Sequence, residues 1–115
     1  MGAFRDGELV GTVGFSIQQG QPNAHKGRLF GMYVRPSSRN VGVGRLLLSA
    51  VLHVARENVE LIRLSVVREN GPARRLYESM GFLEFGVETK ASKYGDKYYD
   101  EALMAIDFSR SADFS

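Results

Sequence analysis

The middle of the chain constrains the fold most. An extended run, Arg28-Leu29-Phe30-Gly31-Met32-Tyr33-Val34, stops before Pro36, and a turn-rich segment from Pro36 to Gly44 follows it. That segment opens onto Arg45–Glu57, which has helix composition, and Leu61–Val67 then reads as a second strand. A helix between two strands points to a parallel crossover pairing, because parallel neighbours need a connection of about a dozen residues or more. Apolar residues lie on most sides of Arg45–Glu57, so the helix is expected to be largely buried, with His53 packed or at its edge.

The elements around this unit extend it into a mixed sheet. Asp6-Gly7 is a tight-turn dipeptide, and the alternating stretch Glu8–Ile17 after it reads as a strand, with Ala3–Arg5 as the end of a preceding one. A polar loop from Gln18 to Gly27, containing the exposed His25, completes an antiparallel meander. Asn70-Gly71-Pro72 supplies a helix cap with Pro in the first turn, Ala73–Met80 forms a short helix, and Gly81 closes it. Phe82–Glu88 and Glu101–Phe108 are two further strands flanking a polar loop with Tyr94, Gly95, Tyr98 and Tyr99. The expected fold class is α/β with a mixed sheet: one domain over 1–108 and a frayed tail over 109–115. At 115 residues the chain buries roughly two-thirds of its unfolded surface, enough for one core, so any ligand must share it.

Composition removes whole classes of chemistry. There is no Cys, which excludes disulfides, thiolate metal sites and acyl-cysteine intermediates, and with two histidines, His25 and His53, a His-rich metal site is not expected. Fifteen Lys and Arg against thirteen Asp and Glu, interspersed, give a net charge of +2 and no nucleic-acid footprint. No apolar run approaches the ~18 residues of a membrane span and the N-terminus lacks a signal-peptide pattern, so a cytoplasmic protein is expected.

The segment that carries chemistry is Arg39-x-x-Gly42-x-Gly44 between strand and helix. Unpaired N–H groups and the helix dipole make such a helix start an anion site, and glycines admit a phosphate closely. A Walker A loop needs Gly-Lys-Ser/Thr, whereas Arg45-Leu46 follow Gly44. A dinucleotide fingerprint needs a third small residue, where Leu47 stands. A plain strand-to-helix turn and a generic nucleotide-phosphate site stay open on this motif alone.

Two motifs together carry a resemblance. Val34 to Leu47 resembles the pyrophosphate segment of the GNAT superfamily of acyl-CoA-dependent N-acetyltransferases, and Asn70-Gly71-Pro72-Ala73-Arg74-Arg75-Leu76-Tyr77-Glu78-Ser79-Met80-Gly81-Phe82 resembles its signature Asn-x-x-Ala-x-x-Leu-Tyr-x-x-x-Gly-Phe. The resemblance implies a GNAT-like acyl-CoA N-acyltransferase fold, an antiparallel meander followed by the parallel crossover. It also implies acetyl-CoA as donor, with no metal. The chain starts within the family's second strand, so the first strand and two helices that wall the acceptor site are not in it. A fragment, a misassigned start, or a homodimer covering that side would each account for this.

Residue by residue, the resemblance implies that the pantetheine arm adds to backbone at Met32 and Val34. The pyrophosphate sits on amides across Arg39, Asn40, Val41, Gly42, Val43, Gly44 and Arg45. Asn70 and Ala73 line the pantetheine, and Tyr77 gives a proton to the departing thiolate. Competing readings stay open: Asn70 as a helix cap, Tyr77 packed beside Ala73 and Met80, and Arg39, Arg45, Arg74 and Arg75 as solvated charges. The strand Arg28–Val34 has no carboxylate to take the acceptor's proton; Glu69, Asp100 and Glu101 are weak candidates, so water-mediated deprotonation is expected. Lys97 to Met104 is similar to the end of members that acetylate small amines or protein N-termini. The resulting expectation is acetyl transfer to a primary amine, of a small molecule or a peptide, by direct attack in a ternary complex. The alternative is a CoA-binding or interaction module without turnover.

Overall fold

In the computed structural model, residues 1–17, 25–39 and 42–111 are described. They form one six-stranded sheet in the order β1-β2-β3-β4-β6-β5. The strands are β1 (Gly2–Arg5), β2 (Glu8–Ile17), β3 (Lys26–Val34), β4 (Leu61–Val67), β5 (Leu83–Tyr94) and β6 (Lys97–Asp107). The helices are α1 (Val43–Asn58), α2 (Gly71–Ser79) and a single turn, α3 (Phe108–Ser111). Every pairing is antiparallel except β3–β4, the parallel crossover expected from the helix between them. Of the loop expected over Gln18–Gly27, residues 18–24 lie outside the described residues, and Lys26 and Gly27 belong to β3.

Both long helices pack on the same side of the sheet. Leu47, Leu48, Val51, Leu52 and Ala55 of α1 are buried against Val13, Leu29, Ile62, Leu64, Met104 and Ile106. Leu76 of α2 comes down beside Gly44 of α1, where a Cβ would lie 3.1 Å from the Leu76 Cδ2. Gly44 is therefore needed for helix packing as much as for access to a ligand. The alternation of strands fits this one-sided core: Ile62, Leu64 and Val66 are buried, while Arg63 between them is exposed.

Two expectations are corrected. Helix α1 is buried on one stripe only: Leu46 is 69% exposed and His53 is exposed, because its outer side meets no other element among the described residues. The polar loop between the last two strands is instead a long hairpin whose turn is Gly95-Asp96, which makes Tyr94, Tyr98 and Tyr99 strand residues. Tyr94 meets Tyr99 edge-on at 5.6 Å, and Lys93 lies over the ring of its cross-strand partner Tyr98 at 5.1 Å, contacts that extend the ladder through a polar sequence. Residues Phe108–Ser111 form α3, with the buried Phe108 under the Arg56 guanidinium, and 112–115 of the expected tail lie outside the described residues.

Leu48 has no exposed surface and sits at the centre of the single core. Leu48→Ala is expected to lower the unfolding free energy by about 3 kcal/mol in urea denaturation, and a loss below about 1 kcal/mol would contradict this core assignment.

Candidate functional site

The site begins where a ladder stops. The parallel pairing of β3 with β4 runs only through Lys26–Leu61, Gly27–Ile62 and Arg28–Arg63. Beyond that point the two strands part. On the other edge of β3 the register against β2 shifts between Thr12 and Gly14, with Gly31 at φ +62° and its carbonyl accepting a hydrogen bond from the Thr12 hydroxyl at 3.2 Å. This is a β-bulge, which bends its strand and flips the side-chain alternation. Phe30 and Tyr33 consequently share the face away from the helices, opposite Gly14 and Thr12, while Met32 and Val34 face the core.

The parting strands enclose a slot of about 880 Å³ that runs through the sheet. Its helix-side wall is Met32, Val34, Leu64, Val66, Leu76 and Tyr77, and on the other face it is lined by Phe30, Tyr33 and Ser65. At one end stand Arg39, Gly42, Gly44 and Arg45; at another, Asn70, Pro72 and Ala73. The structure thus brings together Met32, Val34, Arg39, Gly42, Gly44, Arg45, Asn70, Ala73 and Tyr77. Val43 is the first residue of α1 behind Gly42. Asn40 and Val41 lie outside the described residues.

Each group is held for an identifiable reason. Gly42 caps α1 at φ +84° with open space where a Cβ would be, so the helix starts with amides directed at the slot and no side chain over them. The Arg39 Nε–H donates to the Val34 carbonyl at 3.0 Å, which pins that guanidinium at the end of β3. Arg45 instead donates to the Ser79 hydroxyl at 2.9 Å, bracing α1 against the C-terminal end of α2. Arg74 is not a solvated charge: it pairs with Glu84 at 3.0 Å and donates to the Arg68 carbonyl.

Asn70 is observed as a cap, its side-chain oxygen accepting from the Ala73 N–H at 3.2 Å, and it lines the slot from that position. Both roles proposed for it are therefore geometrically compatible. Tyr77 is buried, with its ring edge-on to Phe82 at 5.8 Å. Burial pushes its phenol pKa above the ordinary value of 10.0, so it carries its proton at neutral pH. Among the described residues no group hydrogen-bonds its hydroxyl.

The carboxylates named in the sequence lie elsewhere. Glu69 and Asp100 line a second hollow with Arg68, Arg74 and Tyr98, and Glu69 sits 3.7 Å from the Lys97 ammonium. The Asp100 carboxylate accepts the Lys90 N–H at 2.9 Å. Glu101 is on β6 beside Val67, opposite Glu88. Among the described residues, none lining the slot is Asp, Glu or His. Sequence reasoning missed Phe30, Tyr33 and Ser65; Gly31 in mid-strand was the one signal of the bulge that brings the first two in.

The family model described as acetyltransferase (GNAT) family matches residues 1–82. The chain is a member of the GNAT acetyltransferase family. A mycothiol acetyltransferase of Thermomonospora curvata is 37% identical over 87 residues, which are 75% of this chain and 28% of that protein. The ribosomal-protein-alanine N-acetyltransferase of Brucella melitensis superposes with a TM-score of 0.83 at 26% identity, over 92% of this chain and 66% of that one. The yncA structure from Salmonella typhimurium, solved with its cofactor acetyl-CoA, superposes with a TM-score of 0.84 at 20% identity, over 93% and 62% of the two chains, a likeness of fold. This GNAT chain thus spans about two-thirds or less of the length of the proteins it matches.

The cap geometry sets a test. Asn70→Ala is expected to cost about 1 kcal/mol in thermal unfolding, and Asn70→Asp to retain most of the stability because it keeps the accepting oxygen; equal losses would contradict the cap.

Proposed function

We propose that this GNAT domain binds acetyl-CoA in the slot and transfers its acetyl group to a primary amine that enters from the sheet face opposite the helices. The observation that carries the reading is the through-sheet slot with an uncovered helix start at one end and a buried, protonated Tyr77 in its wall. A cofactor with a pyrophosphate and an amide-bearing arm fits these residues. The α1 amides behind Gly42 and the Arg39 guanidinium suit the anion, and no Cβ stands in the way at Gly42. Backbone of β3 from Leu29 to Val34 has no β4 partner, so an extended amide chain can pair along it at Met32 and Val34. Asn70 and Ala73 close the far end of the arm.

When bound, acetyl-CoA supplies the electrophilic thioester carbon. The Tyr77 hydroxyl offers a proton to the sulfur that departs, and a positioned donor at that sulfur stabilises the developing negative charge. With no carboxylate or imidazole lining the slot among the described residues, we assign deprotonation of the acceptor ammonium to water at the Phe30–Tyr33–Ser65 mouth. A sequence without Cys supports direct attack by the amine in a ternary complex. Relatives named for acting on mycothiol and on a ribosomal-protein alanine make both small-molecule and peptide amines suitable acceptors to assay.

Coenzyme A and desulfo-CoA are expected to raise the melting temperature of the chain, with no comparable shift from ATP. In a thiol-release assay over an amine panel, Tyr77→Phe is expected to lower kcat by ~10²-fold or more while the CoA-induced shift stays. Unchanged turnover in Tyr77→Phe removes its acid role, and binding without turnover on any amine reduces the domain to a CoA-binding module. Because burial holds the Tyr77 pKa above 10.0, a rate limb due to its ionisation lies above pH 10 and is absent from Tyr77→Phe.

A further inference from the structure

The sheet has an overhang beside α2. The last row joining β4 to β6 is Val67–Glu101, whereas β6 begins at Lys97, so Lys97–Tyr99 pair with β5 alone. The chain leaving β4 stays close for one more residue, its Arg68 N–H donating to the Asp100 carbonyl at 2.8 Å, and then turns through Asn70 into α2. The corner between this turn, the start of α2 and the overhang is a hollow of about 420 Å³ lined by Arg68, Glu69, Arg74, Tyr98 and Asp100. Strand alternation puts Tyr98 and Asp100 on the side of the buried Ala102 and Met104, the side that carries the helices. The hollow therefore lies away from the open sheet face, and it shares no lining residue with the slot.

All five lining residues are polar, and the opposite charges among them stand apart instead of pairing with one another. Arg74 is tied to Glu84 at 3.0 Å and to the Arg68 carbonyl at 3.1 Å. Glu69 has Lys97 at 3.7 Å, and one Asp100 oxygen accepts the Lys90 N–H at 2.9 Å, which holds the irregular stretch of β5 between Glu88 and Ser92. Among the described residues the Arg68 guanidinium and the Tyr98 hydroxyl have no hydrogen-bond partner, and Asp100 has no ion pair. The Lys90 and Lys93 ammonium groups each lie 5.1 Å from the Tyr98 ring centroid. Beyond the Arg74–Glu84 and Lys97–Glu69 pairs, Arg68, Lys90 and Lys93 are thus left against Asp100: an excess of positive charge around a site that still offers a carboxylate.

We propose that this hollow binds a free acidic α-amino acid, of the aspartate and glutamate kind. An α-amino acid carries an ammonium and a carboxylate on one carbon, which suits a hollow lined by a guanidinium and a carboxylate that do not neutralise each other. The planar fork of Arg68 takes the ligand's carboxylate on two N–H groups, and the Tyr98 hydroxyl is a further donor. The second Asp100 oxygen and Glu69 take the ammonium. A side-chain carboxylate on the ligand answers the excess of positive charge from Lys90 and Lys93. A plain dicarboxylate meets Asp100 and Glu69 with like charge, and an amine without a carboxylate leaves Arg68 unpaired, so the lining selects against both. The site is additional to the acceptor mouth at Tyr33 and Ser65 and does not rest on the acetyltransferase reading.

Backbone amide NMR of the whole chain during an L-glutamate titration tests this, with and without coenzyme A. Saturable shifts are expected at Arg68, Glu69, Lys90 and Tyr98 in both conditions, with Met32 and Gly44 unmoved by glutamate. Glutarate, which lacks the ammonium, is expected to bind about tenfold or more weakly than glutamate. Arg68→Gln is expected to weaken glutamate by a similar factor. Asp100→Asn keeps an oxygen to accept the Lys90 N–H, and is expected to weaken glutamate while leaving glutarate no weaker. Circular dichroism and melting temperature establish that each variant is folded. A failure of coenzyme A to shift the chain bears on the proposed function alone, because the hollow is also read in the free chain. The proposal is overturned by no saturable shift at these residues, by glutamate shifts centred on the slot, by glutarate binding as tightly as glutamate, or by both variants binding glutamate as the unsubstituted chain does.

Discussion

The early end of the β3–β4 ladder is the constraint on which the rest of the structure depends. Three paired rows tie the strands together up to Arg28–Arg63, and the bulge at Gly31 then turns β3 away while its other edge stays hydrogen-bonded to β2. A parallel pair that continued would give a closed sheet with no space between strands. The parting leaves a backbone edge without a partner in the middle of a domain, a costly arrangement unless something hydrogen-bonds to it. The helix that follows β3 starts at the lip of this opening, which puts a dipole and free amides at the same place.

The core bears the cost of holding the slot open. Helix α1 buries a single stripe, and α2 meets it closely at Gly44, where a Cβ would press on the Leu76 side chain. Arg45 to Ser79 and Arg39 to the Val34 carbonyl brace the α1 end of the opening, and Tyr77 is set in its wall by packing on Phe82. The residues that form the slot are therefore also those that join the helices to the sheet. A substitution at Gly44 or Tyr77 should be read for stability as well as for activity.

Much of this was legible in the sequence, and for local reasons. The α2 cap at Asn70, its closure at Gly81 and the crossover through α1 depend on short-range chemistry of capping, positive φ and helix length. What the sequence concealed depends on long-range pairing. The Gly31 bulge swaps Phe30 and Tyr33 onto one face, so simple alternation places one of them wrongly. The β5–β6 hairpin runs through Lys, Tyr and Asp residues that read as a loop, because the cross-strand Tyr94–Tyr99 and Lys93–Tyr98 contacts compensate for weak strand propensity. The apolar residues of α1 suggested burial all round, whereas only one sheet face is available to it and both helices share that face.

The central claim is that a CoA-type ligand occupies the opening between β3 and β4 with its pyrophosphate at the start of α1. Backbone amide NMR of the chain during a coenzyme A titration tests it most directly. The account predicts the largest shifts at Met32, Val34, Val43, Gly44 and Arg45, with Asn70 and Ala73 following and the β5–β6 turn at Gly95 unmoved. Shifts confined to the hairpin, or absent along β3 and the first turn of α1, would contradict it.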